Sequence, residues 1–327
     1  MGAMVKLHPA LQIKSSNVWL IRSVKSRQCL RWALVALFFF AILISSATAA
    51  EKTKGTASAD QLALITRATE RELRALEHPM PFQFQERLEW NWGAETRSVI
   101  ETPQGRADRI MLLRDEPLTP EQQEKQTHRL EKLLSDRDAV KSELQDQNAE
   151  IQRRIKMVQA FPRAFFFDFV GREKGLLHFG FYPNPEFSPK DRETQMYRGM
   201  EGTLWIDPAQ ECIVQFEGKL VKDVSFGWGI LGRLSKGGIF EIAQTQLSPG
   251  TWRITSLNVD VKGRIFLLDS FRYVRRETDT RLRPTPESMT YQAAVKALLA
   301  EPSVSDRDKP AGPPAPSPSR KHQSSSR

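Results

Sequence analysis

The chain has 327 residues, 40% of them hydrophobic and 27% charged, an ordinary globular balance with length enough to bury a core. The net charge of +9 comes largely from the ends: residues 1–50 carry basic residues and no acid, and the stretch 51–300 is close to neutral. A nucleic-acid binder keeps its positive surplus on the folded surface, so the charge argues against nucleic acid as a partner.

Lys25, Arg27 and Arg31 precede an apolar run, Ala33–Ile44, which the small residues Ser45–Ala50 follow. A helix of that apolar run reaches only about 18 Å, short of a hydrocarbon core of about 30 Å. With Ala47-Thr48-Ala49 as the stop, this is the pattern of a secretory signal cleaved near Ala49-Ala50. The rival is an uncleaved inner-membrane anchor over residues 33–50, because the region ahead of the run is long. Either reading puts the rest of the chain outside, since Lys and Arg stay on the cytoplasmic side. The expected location is the periplasm of a bacterium-like cell. A lipoprotein is disfavoured, because Cys29 lies on the wrong side of the run.

Residues 59–78 place Leu62, Ile65, Ala68, Leu73 and Leu76 on one stripe, which predicts a surface helix ended by Pro79 and Pro81. Residues 82–90 alternate with period two, and 95–101 and 106–114 flank Thr102-Pro-Gln-Gly105, so three strands with a hairpin follow. Thr119-Pro120-Glu121 opens a charged helical stretch, 120–158, read as one long helix or a helical hairpin with a thin apolar seam. Its default is to pack on its own sheet; a coiled-coil surface for an envelope partner is the alternative, although Arg137, Gln147 and Arg154 interrupt the heptad.

After Pro162 the expected strands are 164–171, 175–182, 200–207, 211–222, 236–247, 250–261 and 264–276. Their turns include Asp207–Gln210, Ser248–Gly250 and Lys262-Gly263. Such spacing leaves no room for crossover helices, so the pairing is antiparallel. Thr285-Pro286-Glu287 is read as the cap of a closing helix through Leu299, and the Pro- and Ser-rich stretch 301–327 as disordered.

Catalytic motifs are sparse. Gly227-Trp-Gly-Ile-Leu-Gly232 spells a dinucleotide pattern, but Lys236-Gly237-Gly238 cuts off the helix that the pattern needs. His78, His128, His178 and His322 form no metal-spaced pair, and Cys212 reads as a buried apolar residue. A hydrolase with carboxylates scattered along the chain stays open as a minor alternative. More telling are Phe165-Phe-Phe-Asp-Phe169 and Leu176-Leu-His-Phe-Gly-Phe181, apolar on both faces where a one-sided sheet needs one. Either the helices cover the second face as ordinary core, or a curved sheet holds an apolar ligand.

The order Arg198-Gly-Met-Glu-Gly-Thr-Leu-Trp-Ile-Asp207, Gly218, Lys236-Gly-Gly-Ile-Phe240 and Gly250-Thr-Trp-Arg253 resembles the later strands of periplasmic outer-membrane lipoprotein-sorting carriers. The resemblance covers roughly 59–277 and specifically 196–272, and its motifs are structural. It implies an α+β fold: a curved antiparallel sheet, or unclosed β-barrel, with helices over the concave face, forming one domain at 59–300 with 120–158 inserted. It implies an inner face that receives lipid or lipoprotein acyl chains; with the sparse motifs above, the expectation is a non-catalytic carrier with no cofactor and no metal. The long helix and the tail depart from the simple carriers. The expected lining is Phe165, Phe167, Phe179, Phe181, Trp205, Phe240, Trp252 and Phe266. The alternative is a structural envelope protein that uses the 120–158 helix and the tail.

Overall fold

The computed structural model describes residues 55–226, 232–265 and 269–303. The segment read as an export signal, Phe266, most of the glycine pattern and the tail from 304 lie outside them. Residues Met1–Glu51 and Lys52–Arg327 divide into separate units, and the described residues belong to the second.

The fold is α+β, as expected, and rests on one open antiparallel sheet. Its strands are β1 (Phe82–Trp90), β2 (Gly93–Thr102), β3 (Gly105–Leu113), β4 (Glu116–Pro117), β5 (Phe165–Glu173), β6 (Leu176–Pro183), β7 (Met200–Asp207), β8 (Cys212–Leu220), β9 (Val224–Phe226), β10 (Gly232–Leu234), β11 (Ile239–Ser248), β12 (Thr251–Ile265) and β13 (Asp269–Pro284). In space they run β4-β3-β2-β1-β13-β12-β11-β8-β7-β6-β5, with β10 on β12 and β9 on β10. Two meanders thus meet at a seam between β1 and β13.

The helices are α1 (Ala59–Glu77), α2 (Pro120–Ser135), α3 (Arg137–Ala164), α4 (Arg192–Gln195) and α5 (Tyr291–Ala300). Ser58 and Thr119 close reciprocal capping boxes on α1 and α2. The stretch read as 120–158 is a hairpin of two helices broken at Asp136, whose carboxylate caps α3. α3 continues through Pro162 to Ala164. The closing helix is capped by Thr290, not Thr285: Thr285 donates its N–H to the Pro81 carbonyl, and Pro286–Met289 make a turn that the Met289 N–H closes on the Pro286 carbonyl. The apolar stripe of α1 is Leu64, Ile65 and Ala68, with Leu62 left exposed.

The predicted turn at Lys262-Gly263 is absent, and β12 runs straight through it. Gly263 serves there as the close approach of two strands, since a Cβ would meet the Arg233 carbonyl oxygen at 2.3 Å and the Phe271 ring at 2.7 Å. Gly202 does the same between β7 and β8, where a Cβ would lie 1.9 Å from the Glu217 oxygen.

Registers assign each strand residue to one of two faces. Phe167↔Phe181, Phe179↔Leu204, Leu204↔Phe216, Phe216↔Ile242, Ile242↔Leu257, Leu257↔Glu277, Glu277↔Leu88 and Glu86↔Arg97 trace a single face across the sheet, here called inner. α1 and the C-terminal half of α3 pack on its β5–β8 end, around Phe161, Phe165, Phe179 and Leu204. The outer face is covered at the opposite end, where α5 and α2 bury Ile100 and Ala107. Helix α3, about 42 Å long, links the two ends.

Both sheet edges are covered. On β3, the Gln147 amide of α3 pairs with the N–H and the carbonyl of Arg106 at 2.9 and 2.8 Å, as a strand would. On β5, Gly55–Ala57 add a short stretch through Ala57 N–H to Phe167 O and Phe169 N–H to Gly55 O. Among the described residues no helix is long and apolar enough to cross a membrane.

Candidate functional site

The eight aromatic residues expected to line a cavity divide. Phe165, Phe167, Phe179 and Phe181 are buried on the inner face. They do not border a hollow there, because Phe161 of α3 inserts among them. Its ring lies 5.1 Å from Phe165, 5.6 Å from Phe167 and 5.8 Å from both Phe181 and Phe216. These tilted contacts are those of a packed core.

Trp205 is a correction. It alternates with the fully buried Leu204 and stacks on His178 at 4.4 Å on the outer face. Trp252 is half-buried with its indole nitrogen buried and unpaired, and a register shift between Ala243 and Gln244 interrupts the alternation that would carry a face assignment to it. Phe166 and Val170 share the outer side with Trp205 and are 44% and 59% exposed, so the helices cover one face of β5, not two. Phe240 stays on the inner face, half-buried at the margin of the Phe161 cluster.

From Phe240 the inner face continues into a strip that the ring cluster does not cover. Ile242 of β11 and Leu257 and Val259 of β12 are half-buried and belong to none of the three clusters of buried apolar side chains. Next to this strip, on β13 and β1–β3, the same face becomes ionic. Arg106 donates to both carboxylate oxygens of Glu86 at 3.0 and 2.8 Å, and Glu86 is only 1% exposed. Arg275 donates to Glu277 at 2.7 Å, Arg97 to Glu95 at 2.7 Å, and Arg253 to both oxygens of Glu101 at 2.9 and 2.7 Å. Glu150 of α3 lies within electrostatic range of Arg275.

Glu86, Glu277 and Asp279 bring one oxygen each to within 4.8 Å of one another. Burial disfavours the charged form of Glu86, but Arg106 outweighs it and holds the carboxyl below its usual range. Asp279 has no arginine hydrogen-bonded to it, only the Nε of Arg253 at 3.7 Å. Burial, then Glu277 and Glu86, push it up to about 8 against the pull of Arg253. Its Oδ1 is buried without a hydrogen bond. With arginines engaged by the other two carboxylates, the grouping lacks the free negative charge that holds a divalent cation.

Elsewhere the chemistry is quiet. Cys212 is fully buried, and burial pushes its thiol up to about 12, which suits the apolar role expected of it. A pocket lined by Arg109, Ile110, Met111, Leu118, Gln123 and Ser303 encloses about 10 Å³, the space of one water. The ionic floor was not foreseen, because its members come from β1, β2, β3, β12 and β13. The available signal was charge in strand positions whose alternation pointed inward, Glu86 among Phe82, Phe84 and Leu88.

The chain matches no protein-family model, no curated protein and no solved structure.

Proposed function

We propose that the protein is an exported, non-catalytic carrier or binding protein for an amphiphile with an acyl chain. That is the role implied by the resemblance of residues 196–272 to periplasmic lipoprotein-sorting carriers. The observation that carries the reading is the inner face between the ring cluster and the seam: a half-buried apolar strip, Phe240, Ile242, Leu257 and Val259, running into an ionic floor. An acyl chain on the strip gains about 25 cal/mol per Å² of apolar surface buried, and the arginines beyond it suit a polar head. The lining is thereby moved from Phe165–Phe181 to β11 and β12.

The test is mass spectrometry of small molecules extracted from full-length protein purified from its native compartment. A bound lipid is expected in the wild type and absent in Phe240→Glu and Leu257→Glu variants that keep their circular dichroism. Empty wild-type protein, or lipid retained by both variants, would sink the reading.

A structural envelope protein is the second reading, and Phe161 favours it by filling the ring cluster from within. It expects no extractable ligand and a protein partner cross-linked through the exposed side of α2 and α3.

A further inference from the structure

The ladder between β12 and β13 does not run their full length. It stops at Ser256↔Thr278. The remaining residues of β12 pair with β11 alone, and Asp279–Pro284 with β1 alone. One end of the sheet is therefore split, and Arg253 lies over the split. Its two terminal nitrogens are held by Glu101 of β2, and its guanidinium sits 4.5 Å from the Phe84 ring centroid and 5.4 Å from that of Phe82. From β12 to β2 is three strand steps, about 14 Å along the sheet. The ion pair thus spans a chord of the curve. The third nitrogen, Nε, has no hydrogen-bond partner and stands 3.7 Å from Oδ2 of Asp279.

We propose that Arg253 is a latch across this split, closed on Glu101 while Asp279 holds its proton and released when Asp279 ionises. The groups facing Asp279 are Glu277 on its own strand, Glu86 from β1, Arg253 from β12 and Arg106 from β3. Arg97 and Asp108 stand behind Glu86, and Glu150 of α3 faces Arg275. Arg106 is taken by Glu86 and Arg275 by Glu277. An ionised Asp279, 5% exposed and beside two carboxylates, has the Nε of Arg253 3.7 Å away and without a hydrogen bond. Turning that guanidinium toward Asp279 breaks the fork on Glu101. Glu101 then keeps the Phe82 N–H, and the strands of the split are no longer tied. The inference does not depend on whether a ligand is carried.

Hydrogen–deuterium exchange of the full-length chain from pH 6.5 to 9.5, corrected for the intrinsic rate, tests it. The readout is the ladder beside the split, residues 256–259 and 275–278, with β5 and β6 reporting global opening. In the wild type, exchange at the split should quicken roughly tenfold on passing a unit above the Asp279 midpoint, with β5 and β6 unchanged. Asp279→Asn should stay protected throughout, and Glu101→Gln should exchange fast at every pH. A flat wild-type profile, the same alkaline loss in Asp279→Asn, or a protected Glu101→Gln each overturns the latch. The Glu101→Gln arm stands even where the other variant does not fold.

Discussion

Asp279 shows how a buried carboxyl shapes stability when its near cation, Arg253, is hydrogen-bonded to another carboxylate. Its folded value, about 8, is raised from the ordinary 3.8, so between those limits the folded protein holds a proton that the unfolded chain releases. The favourable contribution is complete below about pH 4 and is lost as pH rises toward 8. The loss approaches about 1.4 kcal/mol per pH unit at most. Asp279→Asn keeps the shape without the charge. Urea melts should show the variant and the wild type close at pH 4.5 and the variant more stable at pH 8. Equal pH slopes for the two proteins would remove Asp279 as the cause.

At the scale of elements, periodicity located most strands, because alternation such as Phe82, Phe84, Glu86, Leu88 is a local property of β1. What it could not supply was which side faces inward at each strand: Trp205 was placed with Phe179, yet Phe179 pairs with its neighbour Leu204. The ionic floor escaped for a related reason. Glu86, Glu101, Arg253 and Asp279 lie far apart along the chain, and no local pattern connects them. The seam of α3 was legible as apolar spacing, whereas the role of Gln147, one of the residues that interrupt it, was not. Its amide stands in for a missing strand on β3. Gln147→Ala should cost about 1–2 kcal/mol in a thermal or urea melt and speed exchange at the Arg106 amide. Unchanged exchange there would show that the edge is held by Gln126 and Arg129 instead.

For the whole molecule, an open sheet this wide must keep its last strands from pairing with other chains. The Gly55–Ala57 stretch does this for β5. Ala57→Pro removes the N–H donated to Phe167 and should produce concentration-dependent dimers on light scattering; a strictly monomeric variant would mean that the edge needs no cover. The seam sets a different constraint, one of timing. Residues 82–90 pair with β2 on one side, but on the other their partner is 275–284. A ribosome or a translocation pore delivers the chain from its N-terminus, so the first meander must wait, one flank bare, until nearly all the rest has emerged. Completion is a late, long-range event, and the half-made molecule is the one that a chaperone would have to guard.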